Sequence, residues 1–375
     1  MFIAVIGCGG NKPASTAPSP KTSVIAAKKA VRFPKPYYVR GVYLTAWSAG
    51  SKSKLDKMIK LVDTTELNTL VIDIRDAGHL YIKTGITEAV KSGAETVAIV
   101  RPGDLMTRLE MAKVFPIARI ACFRDNFISK AYPERCVSKI TGGVWRDRAD
   151  YAWLDPYNKQ NWEYLAKIVD KALDLGFPEI QLDYVRFPSE GKSNLQAFPA
   201  KHAWPAGTKP EEVVGKFATY ICDRVRKRGA LASADIFGII SSSKKDQGIG
   251  QDLEILAAPF DLICPMVYPS HFAKGEYGVK DPNREPYTII LKTLRDYAKR
   301  LPKAKIRPWL QDFSLGVPYG VKEVQAQILA AKQIGYEEYL LWNAKNIYTE
   351  AAIRDNSKLA NKPASPPAKT EATKF

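Results

Sequence analysis

The sequence predicts one (β/α)8 barrel, with eight parallel strands inside, crossover helices outside and a tail at each end. Eight short apolar segments rich in β-branched residues recur along the chain, segments of helical period separate them, and nearly every apolar segment ends in polar or aromatic side chains. Strict alternation calls for parallel strands joined by helices, and eight repeats close a barrel. A doubly wound sheet is the competing arrangement. At 375 residues the chain accommodates a barrel of about 250 to 300 residues plus its tails.

In chain order the strands are read at 39–47 (VRGVYLTAW), 69–76 (TLVIDIRD), 115–123 (FPIARIACF), 179–187 (EIQLDYVRF), 232–239 (ASADIFGI), 261–269 (DLICPMVYP), 305–313 (KIRPWLQDF) and 338–344 (EYLLWNA). Helices are read between them at 54–66, 102–113, 158–176, 211–229, 250–257, 287–301 and 322–335. Gly176, Gly229 and Gly335 fall where helix ends commonly need a left-handed residue. Asp155, before Pro156, reads as a helix N-cap.

A barrel strand buried on both faces is normally an apolar run, so a charge within one needs a partner or a task. Side chains alternate along a strand, and the apolar residues facing the helices fix the register. Leu70, Ile72 and Ile74 take the helix side of the second strand, which points Asp73 and Arg75 inward. By the same parity Gln181 and Asp183 point inward from the fourth strand, Asp235 from the fifth, and Trp309 and Gln311 from the seventh. Asp312 falls to a loop or helix cap.

Asp183 and Asp235 thus face one cavity from adjacent strands at the C-terminal end, where barrel sites lie. Neighbouring strands are about 5 Å apart, which puts the carboxyls within the range used for glycoside cleavage. One would stabilise or attack the developing oxocarbenium centre while the other protonates the leaving oxygen. Trp47, Tyr184, Trp309 and Trp342 suit the apolar faces of sugar rings, and Gln311, Asn343 and Arg75 suit hydroxyls. Tyr43, Asp73, Arg186 and Tyr268 complete the candidate substrate-binding set at the strand ends. The structural alternative makes Asp73 with Arg75, and Asp183 with Arg186, buried ion pairs that hold the barrel layers together.

Residues 37–353 form the barrel domain in this reading. Residues 1–8 (MFIAVIGC) resemble a shortened lipoprotein signal ending in a lipobox, with Cys8 as the lipidated residue and a membrane anchor. Residues 9–36 and 354–375, rich in Pro, Ala, Ser and Lys, read as a disordered linker and a basic tail. These segments hold nine of the seventeen net positive charges. No zinc-ligand array or RNA-binding fingerprint accompanies the remaining excess, so it is read as mild attraction to anionic polymers rather than a specific nucleic-acid site. Cys122, Cys136, Cys222 and Cys264 lack metal-ligand spacing, and His79, His202 and His271 are scattered. No metal or organic cofactor is implied, and the protein is expected to be a monomer.

The stretch AWLDPYNKQNWEYLAKIVDKALDLGFPEIQLDYVRFPSE, with TLVIDIRDAGHLYI before it and ICPMVYPSHF and LLWNA after it, resembles the DUF4015 group of bacterial TIM-barrel glycoside hydrolases. The resemblance covers about residues 38–350, and LDYVRFP and PMVYPSHF are its most specific parts. It implies a TIM barrel and polysaccharide hydrolysis, with the acid of LDYVRFP, Asp183, as the prime catalytic candidate. The expected protein is an envelope-anchored or secreted glycoside hydrolase acting on an extracellular or cell-wall polysaccharide. A carbohydrate-binding lipoprotein without catalysis is the other reading.

Overall fold

A computed structural model of the protein describes residues 1, 2, 4, 32–189, 195–243 and 246–354. Cys8, the linker to residue 31 and the tail from residue 355 lie outside the described residues.

The eight barrel strands are β1 (Arg40–Leu44), β2 (Thr69–Asp76), β3 (Phe115–Ala121), β4 (Glu179–Asp183), β5 (Leu231–Phe237), β6 (Leu262–Met266), β7 (Trp309–Gln311) and β8 (Tyr339–Trp342). Each pairs in parallel with the next. Pairing of β8 with β1, Arg40 against Tyr339 and Val42 against Leu341, closes the barrel. The seven connecting segments carry α1 (Lys52–Thr64), α2 (Pro102–Met111), α3 (Lys159–Asp174), α4 (Pro210–Lys227), α5 (Leu253–Ala257), α6 (Pro286–Arg300) and α7 (Val321–Ile334). Their apolar faces cover the outward residues of the strands, so Leu70, Ile72, Ile180, Leu182, Ala234 and Ile236 are all buried. Gly176, Gly229 and Gly335 have φ of 91°, 74° and 91° at the helix ends, as the sequence requires. The N-cap of α3 is Asn158 rather than Asp155; Asp155 instead accepts the N–H groups of Tyr157 and Ala200 and pins the loop before the helix.

Several strands are shorter than their apolar runs. The fourth run continues to residue 187 in sequence, but β4 ends at Asp183 because Tyr184 turns into the left-handed region, φ 52°. A non-glycine residue there is uncommon and often marks a functional end of a strand.

The barrel interior is charged as well as apolar. Near its N-terminal end Glu179 accepts hydrogen bonds from Arg307 (2.7 Å) and Ser233 (2.7 Å), and Arg307 also bonds Glu338 at 2.9 Å. Glu338 in turn pairs with Lys35 at 2.7 Å. Residues 32–36, read from sequence as the end of a disordered linker, therefore pack on the barrel, with Phe33 only 5% exposed within the core. One buried aromatic ring outweighs the polar composition around it. Phe33→Ala should cost about 3 to 5 kcal/mol, read as a lower urea midpoint at unchanged m-value.

The four described cysteines are free and buried.

Candidate active site

Arg119 on β3 is the centre of the site. The strand reads Phe-Pro-Ile-Ala-Arg-Ile-Ala, with Ala118 and Ile120 against the helix layer, so Arg119 points into the barrel beside Asp73 of β2 and Gln181 of β4. Its guanidinium is buried and meets four carboxylates. Nη1 donates to Asp73 at 2.6 Å and lies 3.6 Å from Asp76; Nη2 and Nε donate to one oxygen of Asp183 at 2.5 and 3.1 Å; and Nε lies 3.8 Å from Asp235. The rings of Tyr43 and Trp342 lie 5.7 and 5.2 Å from the guanidinium carbon. Those two rings stack on each other with centroids 3.9 Å apart.

Asp183 and Asp235 come from adjacent strands at one level, since Leu182 is in register with Ala234. Their nearer oxygens approach the same Arg119 nitrogen, so they are no more than about 7 Å apart, the sum of the two distances. The second oxygen of Asp183 accepts the backbone N–H of Tyr184 at 2.6 Å. The turn at Tyr184 thus both ends the strand and holds the carboxylate. Asp235 accepts the indole N–H of Trp309 at 2.7 Å. Burial, and then the charge of Asp183, push the Asp235 carboxyl well above the usual carboxylate range. Burial also pushes Asp73 up, to about 6.

Above this floor opens a cavity of about 1080 Å³ whose lining includes Arg119, Asp183, Asp235, Tyr184, Arg186, Tyr268, Trp342 and Asn343. Phe237, Met266, His271, Phe272, Phe313 and Leu315 add an apolar and aromatic wall. This volume is at the upper end for small-molecule sites. Arg186 is buried beneath the rings of Trp153, Tyr184 and Phe237, at 4.6 to 5.2 Å from their centroids. It bonds the Phe187 carbonyl and the Ser189 hydroxyl, so the ion pair of Asp183 is made with Arg119 and not with Arg186.

The remaining candidates support the wall from behind or stand beside it. Tyr43 donates to Asp73, and Trp309 orients Asp235 from below. Gln311 accepts the Ser270 N–H and donates to the Phe313 carbonyl, tying together the loops after β6 and β7. Asp312 receives the Thr349 N–H and hydroxyl, a loop-holding role in keeping with its parity. Trp47, 58% exposed, sits on the short helix Ala46–Gly50 that follows β1.

Arg75 corrects the parity reading. Asp73 is in register with Arg119, but Arg75 is in register with Ile120, so β2 contains one extra residue between them. A bulge reverses the facing of everything beyond it. Arg75 therefore leaves the interior for the helix layer, where it bonds the Ala121 and Cys122 carbonyls, pairs with Asp125 and lies over the Tyr164 ring of α3. Asp76 takes the inward direction and reaches Arg119. Gly78, φ 91°, completes the turn, where a Cβ would fall 2.5 Å from the Asp125 carboxylate. Arg75→Met should lower unfolding stability by about 3 to 5 kcal/mol, because Asp125 is left buried and unpaired. Activity per folded molecule should be unchanged, which urea titration and kinetics on one preparation would establish.

Arg119 is the residue missed by sequence reasoning that matters most. Its signal was the same as that of Asp183, a lone charge of inward parity in an apolar strand. His271, Phe272 and Phe313 come from loops, where no periodicity assigns a direction.

Fold and site together define a (β/α)8 protein with a carboxylate pair, bridged by a guanidinium, at the C-terminal end of the barrel. The chain belongs to the DUF4015 family, whose sequence profile, described as "Putative glycosyl hydrolase domain", matches residues 41–348. Among solved structures, a hypothetical protein from Ruminiclostridium thermocellum ATCC 27405 is 33% identical, with 52% of this chain and 96% of that one covered at a TM-score of 0.46. The PgaB (BpsB) glycoside hydrolase domain from Bordetella bronchiseptica shares the fold at a TM-score of 0.56 and 11% identity, with 82% and 94% covered. A GH20 exo β-N-acetylglucosaminidase from Vibrio harveyi does so at 0.54 and 13%, with 86% and 55% covered. A search of curated protein sequences found no match.

Proposed function

We propose that this protein hydrolyses the glycosidic bonds of an extracellular or cell-envelope polysaccharide. Asp183 is the anionic carboxylate and Asp235 the proton donor. The observation that carries the reading is the placement of these two groups on adjacent strands at the floor of one aromatic-walled cavity. Three N–H donors converge on Asp183 and hold its carboxyl in place. Burial, and then the neighbouring Asp183, raise the Asp235 carboxyl well above the usual carboxylate range, the direction a general acid requires.

In the first step Asp183 bonds the anomeric carbon as the glycosidic C–O bond breaks, and the leaving oxygen takes the proton of Asp235. In the second, a water molecule gives its proton back to Asp235 while its oxygen displaces Asp183. A nearest-oxygen distance of at most about 7 Å is compatible with the roughly 5 to 5.5 Å carboxyl spacing of retaining enzymes, the course written here. Trp342, with Tyr184, Tyr268 and Phe313, supplies apolar faces that suit sugar rings. Lipid attachment at Cys8 would place this activity at the envelope; the VIGC motif and the Pro/Ala/Ser/Lys-rich stretch after it support that part.

Incubation with a panel of polysaccharides, including N-acetylglucosamine polymers, should release reducing ends, with the β- or α-configuration of the substrate retained in the first product seen by NMR. Both oxygens of Asp183 are already engaged by protein donors, which favours one other reading, a carbohydrate-binding protein without catalysis. Saturable glycan binding with no reducing ends released from any bound polymer would select it.

A further inference from the structure

We infer that Arg119 is the positioning residue that divides the work between the two carboxylates, holding Asp183 as the anion and leaving Asp235 to carry the proton. This inference rests on the hydrolase reading above and concerns a residue that reading does not require. It follows from how one guanidinium is shared among four acids. Asp73, Asp76, Asp183 and Asp235 all lie within 4 Å of Arg119 nitrogens. If all four were ionised, the buried cluster would be strongly negative in a medium that penalises unpaired charge. The cluster therefore retains protons, and hydrogen-bond geometry decides where.

Asp183 receives two N–H groups of Arg119 and the N–H of Tyr184. Asp73 receives one N–H of Arg119 and the Tyr43 hydroxyl. Asp76, at the edge of the cluster and partly exposed, lies between Arg119 and Arg124, 3.9 Å from the latter. Among the described residues Asp235 receives only the indole N–H of Trp309, and Arg119 stays 3.8 Å away, beyond hydrogen-bond distance. Tyr268, Glu179, Cys264 and Cys122 also act on Asp235, and none of them supplies a positive charge. Asp76 keeps contact with water at the cluster edge, and Asp235 is thus the least compensated of the three buried acids. The stacked rings of Tyr43 and Trp342 beside the guanidinium keep it in the orientation that produces this inequality.

The test compares wild type with Arg119→Lys and Arg119→Gln. The rate requires Asp183 ionised and Asp235 protonated, so the acid limb of the pH–kcat profile reports the first and the basic limb the second. Without the guanidinium both carboxyls bind protons more tightly. The acid limb of Arg119→Gln should move up by about one to three pH units, the basic limb should also move up, and kcat should fall about a hundredfold or more with KM nearly unchanged. Arg119→Lys, which keeps a charge but loses the fork, should fall between. A residue that merely supports the fold would lower kcat with both limbs in place, and that result would overturn the inference.

A second readout is independent of turnover. With ¹³C-labelled aspartate, the Asp183 carboxyl resonance, assigned with Asp183→Asn, should titrate at higher pH in either Arg119 variant than in wild type. An unchanged midpoint in a folded variant overturns the role of Arg119. Absence of turnover on every glycan would instead count against the hydrolase reading, and the carboxyl titration would still decide the role of Arg119.

Discussion

Asparagine at position 183 should abolish glycan cleavage, by about a thousandfold or more in kcat, while leaving the fold in place. The amide has no charge to set against an oxocarbenium centre and is a poor nucleophile, so the loss falls on kcat and not on KM. Removing one partner of a buried ion pair usually costs several kcal/mol because the other charge is stranded. Here it is not stranded. Arg119 still donates to Asp73 at 2.6 Å and remains beside Asp76, in a cluster where acids outnumber bases. The amide oxygen can still accept the Tyr184 N–H. Thermal melts of Asp183→Asn should therefore stay within a few degrees of wild type, and glycan binding should persist. Full activity in this variant would eliminate Asp183 as the catalytic carboxylate.

Asp235→Asn should lower kcat by about a hundred- to ten-thousandfold on natural glycans, the range for loss of a general acid. The deficit should shrink on aryl glycosides whose leaving groups need no proton. A loss equal for both substrate types would remove the proton-donor role. The same variant has a signature in stability. Burial, and then the Asp183 charge, hold the Asp235 carboxyl well above its ordinary range, so the folded protein keeps a proton that the unfolded chain releases near pH 4. Stability from that proton is complete below the unfolded value and is lost as pH rises toward the folded one. Asp73, at about 6, acts with the same sign and sets the lower part of the window at about pH 4 to 6. Wild type should thus lose melting temperature across this window, and Asp235→Asn should lose less, gaining on wild type as pH rises. Equal slopes in the two proteins would show that Asp235 titrates normally.

The barrel was legible because its signal is local and repeated. Alternating apolar segments, helical periods and glycines at helix ends are set by burial and backbone geometry, and eight repetitions leave little choice of architecture. Parity within single strands also placed Asp183, Asp235 and Trp309 correctly, since a strand flanked by helices must turn its apolar residues outward. The same parity applied to the third strand would have found Arg119.

Other features depend on contacts between distant segments. One extra residue in β2 sends Arg75 to the helix layer and Asp76 to the cavity, and nothing within TLVIDIRD distinguishes that strand from a regular one. Phe33 joins the core only because the chain before β1 packs against the barrel. Asp183 finds Arg119 and not the sequence-adjacent Arg186 because strand register, rather than proximity in sequence, decides which charges share the interior. The sequence by itself determined that carboxylates would meet at the open end of a barrel. Only the tertiary structure decided which cation binds them and how unequally, because that depends on differences of about one ångström in the spacing of side chains from different strands.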